Sequence, residues 1–114
     1  MNQDKKINQK IIHEFANLIG YIEIAINFDS LKKIKSTYEM ILDELLKWIK
    51  YYYLNKNFDI ITHEKSLEIH ETLDEIKWEI LPDKNIGYES FLTDNILIRY
   101  EVIMKSINHE RSNN

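Results

Sequence analysis

Apolar residues recur at alternating spacings of three and four along four long stretches of this chain, and this spacing most constrains its fold. In an α-helix such residues form one continuous stripe, whereas a half-buried strand needs a period of two. One proline and two glycines interrupt the 114 residues, which disfavours turn-dense β architectures. We therefore predict four helices, at about residues 4–27, 30–54, 59–81 and 90–107.

Each predicted helix has one apolar stripe, which we expect to face a common core. The first two stripes are Ile7, Ile11, Phe15, Leu18, Ile22 and Ala25, then Leu31, Ile34, Tyr38, Leu42, Leu45, Ile49 and Tyr52. The last two are Ile69, Leu73, Ile76 and Ile80, then Leu92, Ile96, Tyr100, Ile103 and Ile107. Hydrophobic residues make up 44% of the chain, which is enough for one core.

Residues that commonly cap helices or form turns separate the predicted helices. The expected caps are Asp29 or Ser30 for the second helix, Asp59 or Thr62 for the third, and Ser90 for the fourth. We predict a turn at residues 55–57, an end to the third helix at Pro82, and fraying of residues 108–114. Most connections are therefore short.

Four amphipathic helices with short connections bury their stripes most simply as an antiparallel four-helix bundle. We predict an all-α single domain over residues 1–114. A second arrangement stays open, in which two copies each supply a long helical hairpin and complete one bundle together. The expected state is a monomer or a homodimer.

The composition indicates a protein of the cytoplasm. The chain has no cysteine, which fits a reducing compartment. Residues 2–10 are polar and charged, and no run approaches the ~18 apolar residues of a membrane span. Thirteen lysines against two arginines are typical of an AT-rich gene, which suggests a bacterial, phage or mobile-element origin.

An acidic line is the strongest functional feature of the sequence. It consists of Glu64, Glu68, Glu71, Glu75 and Glu79, which share one helix face. Residues 63–81 hold six acids and two lysines, a net charge of −4 that equals that of the whole chain. A solvated surface helix would also be charged, but it usually mixes signs. We predict that this line, with Trp78 beside it, binds a basic partner.

The histidines suggest a metal site, but we do not predict one. A histidine and the glutamate that follows it point about 100° apart on a helix and cannot share one ion. His63, His70 and Asp74 have usable spacings along one flank of the third helix, but no metal-binding motif accompanies them. We expect neither a metal nor another cofactor.

One short segment suggests a different function. His13-Glu14 is followed by Asn17 and then by Ile19-Gly20-Tyr21. This segment resembles the phosphoacceptor helix of sensor histidine kinases, in which a histidine on a dimerisation hairpin carries the phosphoryl group. The resemblance implies a phosphotransfer or kinase-docking protein that uses His13.

In size, acidity and helical class, the whole chain resembles small bacterial immunity proteins and related inhibitors of nuclease toxins. No motif carries this resemblance. It implies a protein that neutralises a basic toxin, most plausibly a nuclease, and a phage-encoded inhibitor of a host defence nuclease would use the same physics. We find no catalytic signature and expect no enzyme activity. The net charge of −4 and the two arginines disfavour direct binding to nucleic acid.

Overall fold

Helices account for nearly all of the chain that the structure describes. The structure is a computed structural model, and it describes residues 6–80 and 87–112. Its elements are α1 (Gln9–Ile26), a 3₁₀ helix (Asp29–Ile34), α2 (Lys35–Asn55), α3 (His63–Glu75), a π-helical turn (Ile76–Ile80) that continues α3, and α4 (Tyr88–Ser112). The predictions of an all-α protein and of four main helices are confirmed, with strands absent from residues 6–80 and 87–112.

The first helix begins later than predicted because Asn8 caps it. The Asn8 side-chain oxygen accepts hydrogen bonds from the backbone N–H groups of Lys10 and Ile11, at 3.0 and 3.3 Å. This is the usual N-cap geometry, and it places the first helical residue at Gln9. Residues 6–8 are not helical, so the predicted start at about residue 4 is wrong.

Asp29 and Ser30 do not cap the second helix, and that prediction is wrong. They are the first residues of the 3₁₀ helix, which Phe28 precedes without a side-chain capping bond. The Ser30 hydroxyl donates instead to Glu89 Oε2 at 2.7 Å, a bond that lowers the pKa of the Glu89 carboxyl. Ser30 therefore ties the connection after α1 to the first turn of α4, and α2 begins only at Lys35.

Thr62, rather than Asp59, caps α3. Its hydroxyl accepts from the Lys65 N–H at 3.0 Å, so the helix begins at His63 and not near residue 59. The predicted turn after α2 is present, since Lys56 has a left-handed φ of 59°. Beyond it the chain is drawn into the core, where Phe58 stacks on Tyr52 with ring centroids 4.0 Å apart.

The last helix is longer than predicted at both ends. Gly87, with a φ of 98°, precedes Tyr88, the first residue of α4, so Ser90 lies inside the helix and does not cap it. The helix runs on to Ser112, so the predicted fraying from residue 108 is wrong. The predicted stop at Pro82 lies outside the described residues.

The predicted core is largely confirmed. Of its residues, Ile7, Leu42 and Ile49 are only partly buried, the side chain of Ile80 is not described, and all others are buried. The predicted core omitted several buried residues: Ile41, Trp48, Phe58, Ile61, Thr93 and Leu97. In α2, Ile41 and Trp48 are buried in place of the neighbouring Leu42 and Ile49, so the spacing of three and four holds in a different register. In α4, Thr93 and Leu97 widen the buried face.

The helix α1 packs against both α2 and α4, and α3 packs against α4. At one end, Asn8 N–H donates to the Tyr52 hydroxyl at 2.7 Å, and its side-chain amide donates to Glu110 at 3.0 Å. The start of α1 is thereby joined to the last turns of α2 and α4. Between α3 and α4, the Tyr100 hydroxyl donates to the Ser66 carbonyl at 2.7 Å.

Arg111 fastens the connection between α2 and α3 to the end of α4. One guanidinium nitrogen donates to the carbonyl oxygens of Phe58 and Ile61, each at 2.6 Å. Replacing Arg111 with methionine keeps the aliphatic stem but leaves both carbonyls without this donor. We expect Arg111→Met to lower the free energy of unfolding by about 1–2 kcal/mol, measured by urea denaturation. Lys105→Met removes an exposed charge from the same helix and is the matched control. Equal losses of unfolding free energy in the two variants would contradict a stabilising role for the hydrogen bonds of Arg111.

Candidate protein-binding surface

The structure places the whole predicted acidic stripe, from Glu64 to Glu79, at the surface. All five glutamates are exposed, on α3 and on the π-helical turn. Their position follows from the core residues of α3, because Ile69, Leu73 and Ile76 turn the opposite side of the helix inward. Glu64 lies in the first turn, where the helix dipole favours an acid.

The basic residues of α3 and of the π-helical turn neutralise the stripe only in part. Lys65 makes an ion pair with Glu68 at 3.2 Å, but Lys77 pairs with Asp94 of α4 at 3.4 Å. His70 Nε2 likewise lies 2.8 Å from a carboxylate oxygen of Glu101 on α4. Lys77 and His70 therefore pair with carboxylates of α4 and not with those of the stripe.

Four of the five stripe glutamates lack an ion pair in the part of the chain that the structure describes. These are Glu64, Glu71, Glu75 and Glu79. A shallow depression of about 420 Å³ lies along them, lined by Glu68, Glu71, Thr72, Asp74, Glu75 and Glu79. Negative charge is therefore concentrated along this depression, on one side of the molecule.

Trp78 is an exposed aromatic residue at the end of the stripe, as the binding hypothesis requires. Its side chain is 61% exposed, so it is not a core residue. The Lys77 ammonium lies 4.7 Å from the centroid of its ring, a cation–π contact. The ring therefore has one face near a cation and a large apolar area open to solvent.

A groove between α2 and α3 borders the stripe, and sequence reasoning missed it. Its volume is about 250 Å³, and Met40, Ile41 and Ile69 are its apolar lining residues. Ile41 and Ile69 are each 5% exposed and form part of the core, whereas Met40 is 72% exposed. The only sequence signal was Met40 itself, which lies off the apolar stripe of its helix.

The rim of this groove is acidic. Asp43, Glu44 and Glu68 line it together with one base, Lys65. Glu44 is fixed in place, because it accepts a hydrogen bond from the Trp48 indole N–H at 2.7 Å. Glu68 lines both the groove and the depression, so the two concavities adjoin.

The residues of the phosphotransfer hypothesis lie on α1. His13 and Asn17 are both exposed and are separated by one helical turn. Gly20 is half-buried, and a methyl group placed on its Cα would meet no atom within 4 Å. This glycine is therefore not required by packing, and the role of His13 stays a prediction.

The histidines of α3 do not gather into a metal centre. His70 faces Glu101 rather than Asp74. Among the described side chains, no group of three or more histidine, cysteine, aspartate or glutamate residues could hold a metal ion. Within the same residues, no helix is long and apolar enough to cross a membrane.

The acidic stripe, Trp78 and the α2–α3 groove thus offer charge, an exposed aromatic ring and an apolar recess on neighbouring elements. Such a combination can bind a protein surface that presents basic side chains around an apolar one. Comparison of the chain with family models, with curated proteins and with solved structures gives no match.

Proposed function

We propose that this chain is an immunity protein or inhibitor that binds and neutralises a basic protein, most plausibly a nuclease. The observation that carries the proposal is the set of exposed stripe carboxylates at Glu64, Glu71, Glu75 and Glu79, which make no ion pair within residues 6–80 and 87–112. Like charges one helical turn apart destabilise a helix by a few tenths of a kcal/mol per pair. A basic partner would relieve that repulsion on binding.

The dimensions of the stripe suit a nuclease groove. Glu64 and Glu79 are fifteen residues apart, or roughly 22 Å at about 1.5 Å per residue. A nuclease that tracks several phosphates has a basic groove of comparable length, since duplex DNA carries one charge per ~1.7 Å. The stripe would occupy the groove in place of the nucleic-acid backbone.

Apolar contacts next to the stripe would slow the dissociation of the complex. Charges on an interface rim mainly raise the association rate, whereas buried aromatic and apolar anchors slow dissociation. Trp78 can insert into the partner, and the recess beside Met40 can accept an apolar side chain from it. The same surface would serve a phage-encoded inhibitor of a host defence nuclease.

We further propose that the four helices form an antiparallel bundle within a single domain and that the protein acts in the cytoplasm. The hydrogen bonds from Asn8 to Tyr52 and Glu110 support the bundle, because they join the start of α1 to the ends of α2 and α4. A bundle of this kind would hold α3 rigidly and present the stripe without rearrangement on binding.

Charge reversal on the stripe tests this function. We expect Glu68→Lys/Glu71→Lys/Glu75→Lys to weaken partner binding at least tenfold, chiefly by slowing association, and to reduce its dependence on salt. The matched control is Glu23→Lys/Glu39→Lys/Asp59→Lys, which changes the net charge equally at exposed positions elsewhere. It should bind nearly as well as the unmodified protein.

The partner is first captured from the native strain with the unmodified protein as bait and identified. Its nuclease activity is then titrated with each variant at low and high salt. Inhibition by the unmodified protein and by the control, but not by the stripe variant, supports the proposal. Equal inhibition by all three proteins would exclude the stripe as the contact surface, and a captured partner without a basic surface would exclude the proposed class of target.

A further inference from the structure

The α2–α3 groove lies on the side of the fold where two helices are not packed together. The helix α2 packs on α1, α1 on α4 and α4 on α3, whereas the backbones of α2 and α3 hardly approach each other. Packed helices have axes about 8–10 Å apart, so a wider separation leaves room for a side chain between them. The groove of about 250 Å³ occupies this side of the fold.

Each helix lines the groove with two turns of one face. The lining residues within 37–44 of α2, apart from Asp43, follow the spacing i, i+3, i+4 and i+7, and those within 65–72 of α3 follow the same spacing. Ile41 and Ile69, each 5% exposed, form an apolar floor. Met40 stands open beside this floor, and an unbranched thioether adapts its shape to what it contacts.

The walls of the groove determine the backbone form of a segment that binds there. Residues 40–44 and 68–72 lie inside α2 and α3, so their N–H and C=O groups are already paired within those helices. An extended segment would find no free backbone groups and would leave its own unpaired. A helix satisfies its own backbone groups and can lay side chains between two other helices. The groove is therefore suited to a helix.

The volume of the groove suits one large apolar side chain of that helix. A closed cavity of about 150 Å³ holds a benzene-sized group, and the groove is larger but open to solvent on one side. A leucine, methionine or phenylalanine side chain would contact Ile41 and Ile69, and Met40 would cover it.

The charges of the rim favour basic side chains around that apolar residue. Asp43, Glu44 and Glu68 line the groove with one base, Lys65, which is paired with Glu68 at 3.2 Å. Lys47, which does not line the groove, lies 3.5 Å from Glu44. Asp43 has no ion pair within residues 6–80 and 87–112. Acids therefore exceed bases on the rim even with Lys47 counted, and the acidic depression adjoins it at Glu68.

We propose that the α2–α3 groove binds a helix of the inhibited protein that inserts one large apolar side chain against Ile41 and Ile69 and has lysine or arginine three or four residues to either side. This inference rests on the proposed function, since it takes the basic protein that the stripe binds as the owner of the helix. Residues three and four apart share one helix face, so the basic side chains meet the rim acids while the apolar one is buried. The groove thereby distinguishes one basic protein from another, which charge attraction to the stripe does not do.

A synthetic helix tests this recognition without the partner. The peptide is a capped alanine–lysine helix of about 18 residues with one central leucine, and the measurement is methyl NMR of the protein labelled at methionine. Met40 lines the groove, whereas Met104 packs against the core from α4. We expect the peptide to shift the Met40 methyl signal until it saturates and to leave that of Met104 in place.

Two altered peptides separate the apolar contact from the charge. Serine in place of the leucine should weaken binding about tenfold or more, because the buried apolar side chain is lost. Glutamate in place of every lysine should abolish binding, because the rim is acidic. A Met40 signal that does not move with the leucine peptide, or that moves equally with the serine peptide, would overturn the inference.

Two variants of the protein then connect the groove with inhibition. Met40→Asp removes the apolar wall but adds a negative charge, so weaker binding of a basic helix could not come from lost acidity. Leu54→Asp is the matched control, since Leu54 is also on α2 and, like Met40, is 72% exposed, but it does not line the groove. We expect Met40→Asp to weaken inhibition of the captured nuclease about tenfold and Leu54→Asp to leave it unchanged.

The groove and the proposed function can fail separately in these experiments. Inhibition that the stripe variant loses but Met40→Asp retains would overturn the role of the groove and support the proposed function. A saturable shift of the Met40 signal with the leucine peptide, in a protein that inhibits no nuclease, would overturn the proposed function and support the groove as a binding site for a basic helix.

Discussion

Replacing Trp48 with alanine is expected to lower the free energy of unfolding by about 3–5 kcal/mol and the melting temperature by more than ~10 °C. The Trp48 side chain is fully buried and is the largest side chain in the core. Its loss leaves a cavity that neighbouring side chains on rigid helices can fill only in part. The indole N–H also donates to Glu44 at 2.7 Å, so the variant leaves that carboxylate without its donor. Urea denaturation followed by circular dichroism measures the change.

A second variant separates the cavity from the hydrogen bond. Trp48→Phe retains an aromatic ring in the core but cannot donate to Glu44, and we expect it to lose less than half as much stability as Trp48→Ala. Trp48→Phe also leaves Glu44, on the rim of the α2–α3 groove, without its hydrogen bond. We expect this loss to change partner binding more than the free energy of unfolding. If the two variants were equally unstable, the hydrogen bond and not the ring volume would dominate at this position.

Trp48 also shows which core residues could be predicted from the sequence and which could not. The spacing of three and four found the residues that point straight at the core, such as Leu45 and Tyr52. Trp48 lies three residues after Leu45 and four before Tyr52, so it fits the same spacing, but the apolar Ile49 beside it fits as well, and the predicted stripe contains Ile49 instead. The structure buries Trp48 and leaves Ile49 only partly buried. Phe58 and Ile61 were missed for a different reason, because they belong to a short connection in which no helical period exists.

The errors at the starts of α2 and α3 share one physical cause. Asp29, Ser30, Asp59 and Thr62 all have side chains that can cap a helix, and sequence alone does not decide which of them will do so. Ser30 donates to Glu89, which is 59 residues away. Such tertiary bonds compete with local capping, so boundaries were less predictable than the helices themselves.

The candidate site, like the helices, could be predicted from the sequence only in part. The line from Glu64 to Glu79 follows from helical spacing, and its exposure follows once the core face of α3 is known. What the sequence did not reveal is that Lys77 and His70 are engaged by acids of α4. The sequence also did not predict the α2–α3 groove, because a recess between two helices depends on their separation in the folded protein.

Three buried tyrosines predict a steep loss of stability at alkaline pH. Burial raises the pKa of Tyr38 and of Tyr100, and it raises that of Tyr52 as well. Below pH 9 both states keep these protons, so stability is unaffected. Above the ordinary tyrosine pKa near 10, the unfolded chain loses protons that the folded chain retains, and stability falls by about 1.4 kcal/mol per pH unit for each such group.

Comparison with phenylalanine variants isolates this effect from the titration of lysines. Tyr38 and Tyr100 together should contribute about 2.7 kcal/mol per pH unit between pH 10 and 12. Tyr38→Phe/Tyr100→Phe is therefore expected to lose stability less steeply than the unmodified protein, although it begins about 1 kcal/mol lower at pH 7 without the bond from Tyr100 to Ser66. Tyr53→Phe, which removes a half-exposed phenol, should leave the slope unchanged. Urea denaturation at half-unit pH intervals measures each slope. An unchanged slope in the double variant would mean that both phenols reach water in the folded state, contrary to a closed core around α2 and α4.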